Sequence, residues 1–302
     1  MNRAQLLFKA IDVIGYPLQN TVRKQGVTCE KDIAYGDAER QKVDVYYADI
    51  YKSVKKTVVV NFHGGGFVMG NKKYRRSFAE ILADKGYFVV NANYRLGPEH
   101  YFPCCAEDAV KVVDFLPVLA RDHYIDLDKV VVCGDSAGAY VASFAVAAAY
   151  SETLRKRLGL PAPVVRPKGF IGFCGVYDVA KMVAMREPFG IAKVTGESFM
   201  GIKLRHNIKA LMNYEYLDCV STVDLVNSDW PESLIIYSAH DIICPHQGEA
   251  MINKFSECKV SCSYYKAKSI ADNHCFHFHF WRKASKEAMA AADRYLEEIS
   301  RR

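Results

Sequence analysis

The sequence predicts an α/β fold in which helices cover both faces of a mostly parallel sheet. From about residue 40 onward, short runs rich in β-branched and aromatic residues alternate with segments of helical periodicity. Most of these runs are apolar without interruption, as strands buried on both faces must be. Such alternation is typical of parallel strands joined by crossover helices.

Seven runs fit this description. The predicted strands are VDVYY (43–47), TVVVNF (57–62), YFVVNANY (87–94), KVVVCG (129–134), KGFIGFCG (168–175), SLIIYSA (233–239) and SCSYYKA (261–267). Two segments interrupt the alternation: residues 1–40, and residues 177–230, which are longer than a crossover helix needs. Because open α/β sheets bind ligands beyond the carboxyl ends of their strands, both segments could fold there. We expect an N-terminal cap segment at 1–40 and one domain at 41–302 with a cap insertion at about 177–230.

Composition and charge exclude several classes of protein. Half of the 302 residues are apolar and a quarter are charged, as in ordinary globular chains. The net charge of +6 is small, and no aromatic-basic stripe suggests nucleic-acid binding. Near the N-terminus, Lys9 and Asp12 interrupt the apolar residues, so neither a signal sequence nor a membrane span is predicted. One face of an amphipathic helix instead accommodates Leu7, Ala10, Ile11 and Ile14.

Ten cysteines raise the question of a disulfide framework. That interpretation suits short secreted chains, whereas Cys133 and Cys174 lie here inside apolar runs. We expect buried thiols in a reducing compartment, and therefore a cytoplasmic protein.

The strongest signal for chemistry is VVVCGDSAGAY, residues 130–140. A strand is followed by Gly134-x-Ser136-x-Gly138 and then by a helical run, which is the context of a nucleophile elbow. The glycines lack a Cβ atom and therefore permit a sharp turn beside a serine with a strained backbone. Ser136 is predicted to stand at the helix N-terminus with its hydroxyl facing the site.

A second signal, NFHGGGFVMG (61–70), directly follows an apolar strand. Successive glycines allow one backbone segment to present N–H groups to the oxyanion that forms during acyl transfer. The predicted donors are Gly65 and Gly66, together with the N–H of Ala137. A phosphate-binding loop is the competing interpretation, but the run lacks both the Walker A ending and the strand–GxGxxG–helix context.

A serine nucleophile needs a base, and the base needs a third group to orient it. The chain order on such a sheet is serine, acid, histidine. Asp241 lies just past the strand in LIIYSAHD, and is the predicted acid; three other aspartates lie in the polar insertion before that strand, namely Asp218, Asp224 and Asp229.

The base is expected in NHCFHFHF, residues 273–280. His274 lies on the loop that leaves the last strand, where it could reach Ser136, whereas His277 and His279 enter the helical run that follows. A metal site is the alternative, but this spacing does not place all three imidazoles on one face of a helix. We predict that His274 is the base, that the other two support its loop, and that no metal is bound.

Taken together, the motifs resemble the hormone-sensitive-lipase-like branch of the α/β-hydrolases, which includes bacterial carboxylesterases and arylacetamide deacetylases. The resemblance extends from about residue 40 to the C-terminus and rests on HGGGF (63–67), NYRLGPEHYFP (93–103), Asp108, GDSAGA (134–139), Asp241 and HCFH (274–277). It implies an α/β-hydrolase fold: a mostly parallel eight-stranded sheet flanked by helices, with a small helical cap. It also implies a triad of Ser136, Asp241 and His274.

The resemblance assigns supporting roles to further residues. It implies that His63 and Gly64 shape the glycine loop, that Gly134 and Gly138 shape the elbow, and that the active-site wall is supported by Tyr94, Arg95 and Pro98. The sequence departs from the family at Gly97, where alanine is commoner, and at Ala139-Tyr140, where Gly-Asn is commoner. Tyr140 could crowd the acyl pocket or pack behind the elbow.

These patterns predict a serine carboxylesterase that hydrolyses short-chain acyl esters through an acyl-enzyme, without a cofactor. The expected partner is a small-molecule ester, with no nucleic acid or membrane, and homodimer formation stays open because family analogues often dimerise. The alternatives are an amidase or deacetylase on the same triad, and a non-catalytic ligand-binding homologue. The presence of His274 argues against the last, since the plant gibberellin receptors of this family have lost the catalytic histidine.

Overall fold

The computed structural model describes residues 1–49, 57–185, 190–204 and 209–302. The strands are β1 (Val27–Ala34), β2 (Lys42–Ala48), β3 (Val58–Phe62), β4 (Phe88–Ala92), β5 (Val130–Asp135), β6 (Gly169–Phe173), β7 (Ser233–Ser238) and β8 (Cys262–Ala267). The helices are α1 (Arg3–Gln19), α2 (Arg76–Asp84), α3 (Cys104–Asp114), α4 (Leu116–Asp122), α5 (Ala137–Tyr150), α6 (Glu152–Leu158), α7 (Val179–Ala184), α8 (Ile191–Met200), α9 (Lys209–Met212), α10 (Gln247–Glu257) and α11 (Lys283–Arg301). Short 3₁₀ helices lie at Lys72–Arg75, Thr222–Leu225 and Phe276–Phe278.

The eight strands form one sheet in the order β1-β2-β4-β3-β5-β6-β7-β8. β2 runs antiparallel to both β1 and β4, and the remaining neighbours are parallel. The last rungs bring Phe62 beside Gly134 and Asp135 beside Phe173, so that the loops after β3, β5 and β6 leave the same edge. The predicted fold, a mostly parallel eight-stranded sheet flanked by helices, is confirmed.

Both faces of the sheet are buried. Every residue of β3 to β7 is buried, which explains why their sequences are apolar without alternation. Val60 and Val132 pack on one side with α5, and Val59 and Val131 pack on the other with α11. The central strands are therefore fixed from both sides, and their carboxyl ends form a rigid platform.

The first strand corrects the predicted boundary of the N-terminal cap segment. Residues 27–34 fall within the segment 1–40, yet they form β1 and pair with β2. β1 is an edge strand whose side chains are exposed or half-buried, so that polar residues occupy it and no apolar run marks it. The segment that lies away from the sheet is α1.

α1 packs on the glycine loop and on α8. The Asn2 side chain caps α1 by accepting a hydrogen bond from the Gln5 amide at 2.9 Å. Its Nδ2 donates to Ser198 Oγ of α8 at 2.8 Å. Ala4 and Phe8 are the apolar residues that α1 buries, whereas Ile11 and Ile14, which fit one face by periodicity, are exposed. Periodicity could not select the inner face because apolar residues occur on several sides of this helix.

Gly97 explains one departure from the family pattern. A Cβ atom at this position would lie 2.3 Å from the carbonyl oxygen of Ser198. Glycine therefore allows the end of α8 to contact the segment after β4, which an alanine would push away.

The cysteines are not joined by disulfide bonds. All ten cysteines are free thiols, and Cys133 and Cys174 are buried, as their apolar surroundings predicted. Among the described ranges, no helix has the length and apolar character needed to cross a bilayer.

Gly138→Ala is expected to destabilise the fold by about 1–3 kcal/mol, the cost typical of overpacking. The added Cβ would lie 2.1 Å from the carbonyl oxygen of Phe62, and backbone atoms cannot move aside as a flexible side chain can. Gly15→Ala is the matched control. Its Cβ meets the flexible Gln19 side chain within α1, so we expect a gain of about 0.5–1 kcal/mol. Urea unfolding of both variants checks the opposite signs.

Candidate active site

Ser136 lies at a tight turn between β5 and α5. Its backbone has φ 54° and ψ −122°, a strained conformation for a residue with a Cβ atom. The Ser136 amide donates to the Phe173 carbonyl at 2.9 Å and so ties the turn to β6. A Cβ at Gly134 would lie 2.3 Å from the Gly138 carbonyl oxygen, which explains the glycines on either side of the serine. The structure thus places Ser136 at the strand-to-helix turn that the sequence predicts.

Asp241 and His274 form an ion pair beyond the ends of β7 and β8. The His274 Nδ1 atom lies 2.9 Å and 3.0 Å from the two carboxylate oxygens. Asp241 Oδ1 also accepts hydrogen bonds from the amides of Ile243 at 2.9 Å and Cys244 at 2.8 Å. The carboxylate is therefore fixed by its own loop, and the imidazole presents Nε2 away from it.

The pair shifts both pKa values in opposite directions. Burial lowers the pKa of His274, but the charge and hydrogen bonds of Asp241 outweigh burial and raise it to about 9. Burial raises the pKa of Asp241, but the charge of His274 and its hydrogen bond, followed by the two amides, bring it below its usual value. The site thus favours a carboxylate beside an imidazole that holds a proton readily.

Two thiols connect this pair to the elbow. Cys244 lines the cavity that Ser136 lines, and its amide donates to Asp241. The Cys174 thiol lies within 4.8 Å of the donor atoms of Asp241 and His274. Cys244 therefore links the loop of the predicted acid to the cavity at the elbow. Neither cysteine carries a motif, which is why sequence reasoning missed them.

Among the described residues, one group could offer three ligand atoms to a metal ion. It consists of Cys174, Asp241 and His274. The His274 Nδ1 atom is already engaged by Asp241, and Cys174 is buried. We find no second histidine in this group, and the imidazole cluster of residues 274–279 does not converge on it.

The glycine loop lies against the elbow. The Gly64 amide donates to the Asp135 carboxylate at 3.1 Å, and a Cβ at Gly64 would lie 3.1 Å from Ser136 Cβ. Gly65 and Gly66 have φ values of +125° and +59°, and a Cβ at Gly66 would lie 2.2 Å from the Phe8 ring. Positive φ values and close packing both require glycine here. Gly66 and Ser136 line the same cavity.

His63 supports this loop from behind. The imidazole is fully buried, its Nδ1 lies 2.7 Å from the Gly64 carbonyl oxygen, and it stacks on Tyr94 with the ring centroids 4.6 Å apart. The Tyr94 hydroxyl donates to the His63 carbonyl at 2.7 Å. Burial, then the nearby Arg40, lowers the pKa of His63 well below its usual value. His63 is therefore a neutral packing group that substrate does not reach.

The Asp108 side chain holds the segment that follows β4. This fully buried carboxylate accepts hydrogen bonds from the Arg95 guanidinium at 2.7 Å and from Gln41 Nε2 at 2.7 Å. The Arg95 amide donates to it as well, at 2.7 Å. The segment from Tyr94 to Pro98 is thereby held against α3.

Tyr140 packs behind the elbow. Its ring is fully buried and lies edge-on to Phe67 and Phe199, at centroid distances of 5.1 Å and 5.4 Å. Tyr140 does not line the cavity that contains Ser136. The sequence left open whether Tyr140 crowds the acyl pocket or packs behind the elbow, and the structure shows that it packs behind the elbow.

His277 and His279 are separated from the acid. His277 is fully buried and stacks on Phe173, with the ring centroids 4.4 Å apart. No hydrogen-bond partner of its ring nitrogens occurs in the described ranges, and burial, followed by the charge of Arg75, lowers its pKa. His279 packs beside Trp281 at 5.2 Å. Both contribute packing to the loop that carries His274.

A cavity of about 350 Å³ opens over Ser136. The N-terminal helix, the glycine loop, α7, α8 and the loop after β7 all contribute to its wall, which is mostly apolar: Leu7, Phe8, Gly66, Phe67, Ser136, Val176, Met182, Met185, Ile191, Ala192, Thr195, Ile242, Ile243 and Cys244. Apolar walls around a few polar groups are typical of small-molecule sites.

A buried ion pair that the sequence analysis did not identify lies under the elbow. Arg75 Nε and Nη2 donate to the two Asp135 oxygens at 2.5 Å and 2.6 Å. Asp135 directly precedes Ser136, and both charged side chains are buried. Sequence reasoning missed the pair because the partners are far apart along the chain and Arg75 belongs to no motif.

An elbow serine, an Asp–His pair and a glycine loop at the carboxyl edge of a parallel eight-stranded sheet define an α/β-hydrolase. The BD-FAE family model matches residues 43–255, well over half of the chain. The chain therefore belongs to the BD-FAE family.

Curated relatives and solved structures agree with this assignment. Tuliposide A-converting enzyme b1 from Tulipa gesneriana is 33% identical over 129 residues, which cover 38% of this chain and 34% of that enzyme. The match thus spans about a third of that relative's length. Probable carboxylesterase 3 from Arabidopsis thaliana is 22% identical over 92% of this chain and 89% of its own. Inhibited esterase B from Lactobacillus rhamnosis has the same fold, with a TM-score of 0.87 and 20% identity over 99% of this chain and 96% of that chain. The predicted resemblance to carboxylesterases of the α/β-hydrolase fold is confirmed.

Arg75→Met is expected to lower the free energy of unfolding by about 3–5 kcal/mol, because it leaves the buried Asp135 carboxylate without its positively charged partner. Lys85→Met is the control, since it removes the half-exposed ion pair with Asp293, in which the charged atoms lie 2.6 Å apart. Such surface pairs contribute less than about 1 kcal/mol. Denaturant unfolding at neutral pH measures both variants, and equal losses would contradict the role given to Arg75.

Proposed function

We propose that this protein is a serine carboxylesterase that works through an acyl-enzyme intermediate. The observation that supports the proposal is the Asp241–His274 ion pair at the same edge of the sheet as the strained Ser136 elbow, whose serine lines an apolar cavity. The relatives named as carboxylesterases and esterases support ester hydrolysis as the reaction.

In the proposed reaction, Ser136 Oγ attacks the ester carbonyl carbon while His274 Nε2 accepts its proton. Asp241 holds the imidazole by Nδ1 and stabilises the imidazolium that forms. His274 returns the proton to the leaving alcohol, and a water molecule then repeats the sequence to release the acid.

The amides of Gly65, Gly66 and Ala137 are the proposed oxyanion donors. The Ala137 amide begins α5, where the helix dipole favours negative charge, and the glycine loop lies against the elbow. A fixed set of donors in an apolar cavity stabilises the developing charge more strongly than water does, and loss of one donor costs about 10²–10³ in kcat. None of these steps uses a cofactor.

We further propose that the substrates are small esters with short acyl chains. The cavity of about 350 Å³ is near the lower end of the range of about 300–1,000 Å³ that is common for ligand sites. Solved structures of esterase B carry inhibitors described as C4-C4 and C6-C4, which supports acyl groups of this size. On this proposal, the cap over the acyl group is formed by Leu7 and Phe8 of α1 and by the described parts of the predicted insertion 177–230, which include α7 and α8. Residues 186–189 and 205–208 of that insertion lie outside the described ranges. The enzyme is proposed to work in the cytoplasm.

Ser136→Ala and His274→Gln are each expected to lower kcat for p-nitrophenyl acetate by at least about 10³–10⁴, because they remove the nucleophile and its base. His277→Phe is the matched control. It keeps an aromatic ring stacked on Phe173, so turnover should stay within a few-fold of the parent. A fluorophosphonate should label only chains that keep Ser136, as read by mass spectrometry. A folded Ser136→Ala protein with full activity would overturn the mechanism.

The kcat/KM of the protein is expected to rise with pH through an alkaline midpoint. The base must be neutral, and its pKa is raised from 6.5 to about 9 by Asp241 against the effect of burial. The same shift stabilises the fold fully below pH 6.5, and this stabilisation is lost as the pH rises through about 9. Asp241→Asn should move the midpoint to lower pH and reduce kcat by about 10⁴. Rates measured from pH 5 to 10 test this, and an unchanged midpoint would exclude the assigned pairing.

A further inference from the structure

The N-terminal helix α1 exposes a wide apolar face. Leu6, Val13 and Ile14 are 56%, 64% and 69% exposed, and Ile11 and Leu18 are exposed beside them. Ala4 and Phe8 hold the opposite side of α1 against the glycine loop. Single exposed apolar side chains are ordinary, but a cluster of them on one helix marks an interaction surface.

This face is continuous with the mouth of the Ser136 cavity. Leu7 lines the cavity, and Ile11 and Ile14 follow it by four and seven residues, so that the three lie along one side of α1. Across the opening, Ile242 lines the same cavity and is 75% exposed. An apolar rim therefore surrounds the entrance to the proposed catalytic site.

The charges on α1 are distributed unevenly. Arg3 and Lys9 are exposed. Asp12, the acidic residue of this helix, is half-buried. The outward side of α1 is therefore apolar and cationic, which is the composition of helices that lie in a membrane–water interface.

We propose that α1 docks this protein on an anionic lipid surface. Arg3 and Lys9 contact the headgroups. The apolar side chains that enter the acyl boundary are Leu6, Ile11, Val13, Ile14 and Leu18. The inference rests on the proposed esterase function, because it turns the cavity mouth toward lipid and lets an ester pass directly from lipid to Ser136. The prediction that no membrane partner exists was based on the lack of a spanning segment. A helix that lies in the membrane interface does not need to span the bilayer.

A second copy of the chain is the competing occupant of this face. In a two-fold symmetric dimer each patch meets its own copy. Each copy would then bring the exposed cations Arg3 and Lys9 to the interface, and no exposed acidic residue on α1 offsets them. Anionic headgroups complement the same charges, so we choose the lipid surface.

Vesicle binding of the full chain tests the proposal. The Ser136→Ala protein, which binds without hydrolysing lipid, is mixed with vesicles of phosphatidylcholine alone or with phosphatidylglycerol, and the bound fraction is read after flotation. We expect binding to the anionic vesicles, and an affinity loss of about tenfold or more in Val13→Glu and in Lys9→Glu. Val164→Glu is the matched control. Val164 is 69% exposed and lies on the loop before β6, at the amino ends of the parallel strands and therefore opposite the cavity. Its binding should not change.

Turnover separates this inference from the esterase proposal. Introduced into the active enzyme, Val13→Glu should leave hydrolysis of dissolved p-nitrophenyl acetate unchanged and slow hydrolysis of an ester held in anionic vesicles. The inference is overturned if vesicles do not bind, if binding survives Val13→Glu, or if sedimentation shows a dimer that Val13→Glu dissociates without any vesicle binding. Vesicle binding by a protein that hydrolyses no ester would instead refute the esterase function alone.

Discussion

The buried ion pair between Arg75 and Asp135 joins parts of the site that come from distant stretches of the chain. Asp135 ends β5 immediately before Ser136, and its second oxygen accepts the Gly64 amide of the glycine loop. Arg75 donates to Gln19 at the end of α1 at 2.9 Å and lies over the Phe278 ring at 4.4 Å, beside the loop that carries the proposed base. One buried charge pair thus fixes the relative positions of the Ser136 elbow, the glycine loop and the loop that carries His274. Removing either partner of this pair is costly, because the charge that remains is buried away from water.

The strain at Ser136 depends on that support. A non-glycine residue at φ 54° and ψ −122° costs on the order of 1–3 kcal/mol and persists only where its surroundings leave no alternative. Here the Ser136 amide is bound by β6, and the flanking glycines allow the strand, the helix and the glycine loop to approach one another. The packing around the ends of the strands therefore offsets the strain, and the strained backbone conformation directs the serine toward the cavity. Stability and chemistry are coupled at this residue.

Sequence reasoning succeeded where one physical constraint acts along a continuous stretch of chain. The central strands were predictable because both of their faces are buried, and the contact between Asp241 and His274 was predictable because each residue follows a strand that ends at the same edge. β1 was missed because an edge strand carries polar residues, and the inner face of α1 was missed because periodicity does not say which side meets the protein. The pairing of Arg75 with Asp135 and the contact of Phe8 with Gly66 join residues far apart in sequence. Their partners are set by the three-dimensional packing, for which a single sequence contains no local signal.

The histidines show how surroundings, rather than residue type, define the site. His63 and His277 are fully buried without a carboxylate beside them, so that loss of solvation dominates and keeps their rings neutral. His274 is half-buried, and burial alone would lower its pKa as well, but the Asp241 carboxylate outweighs that effect and raises it. A base for a serine hydroxyl must accept a proton during the reaction, and a neighbouring carboxylate stabilises the charged imidazole that results. This partner distinguishes His274, the proposed base, from His63 and His277.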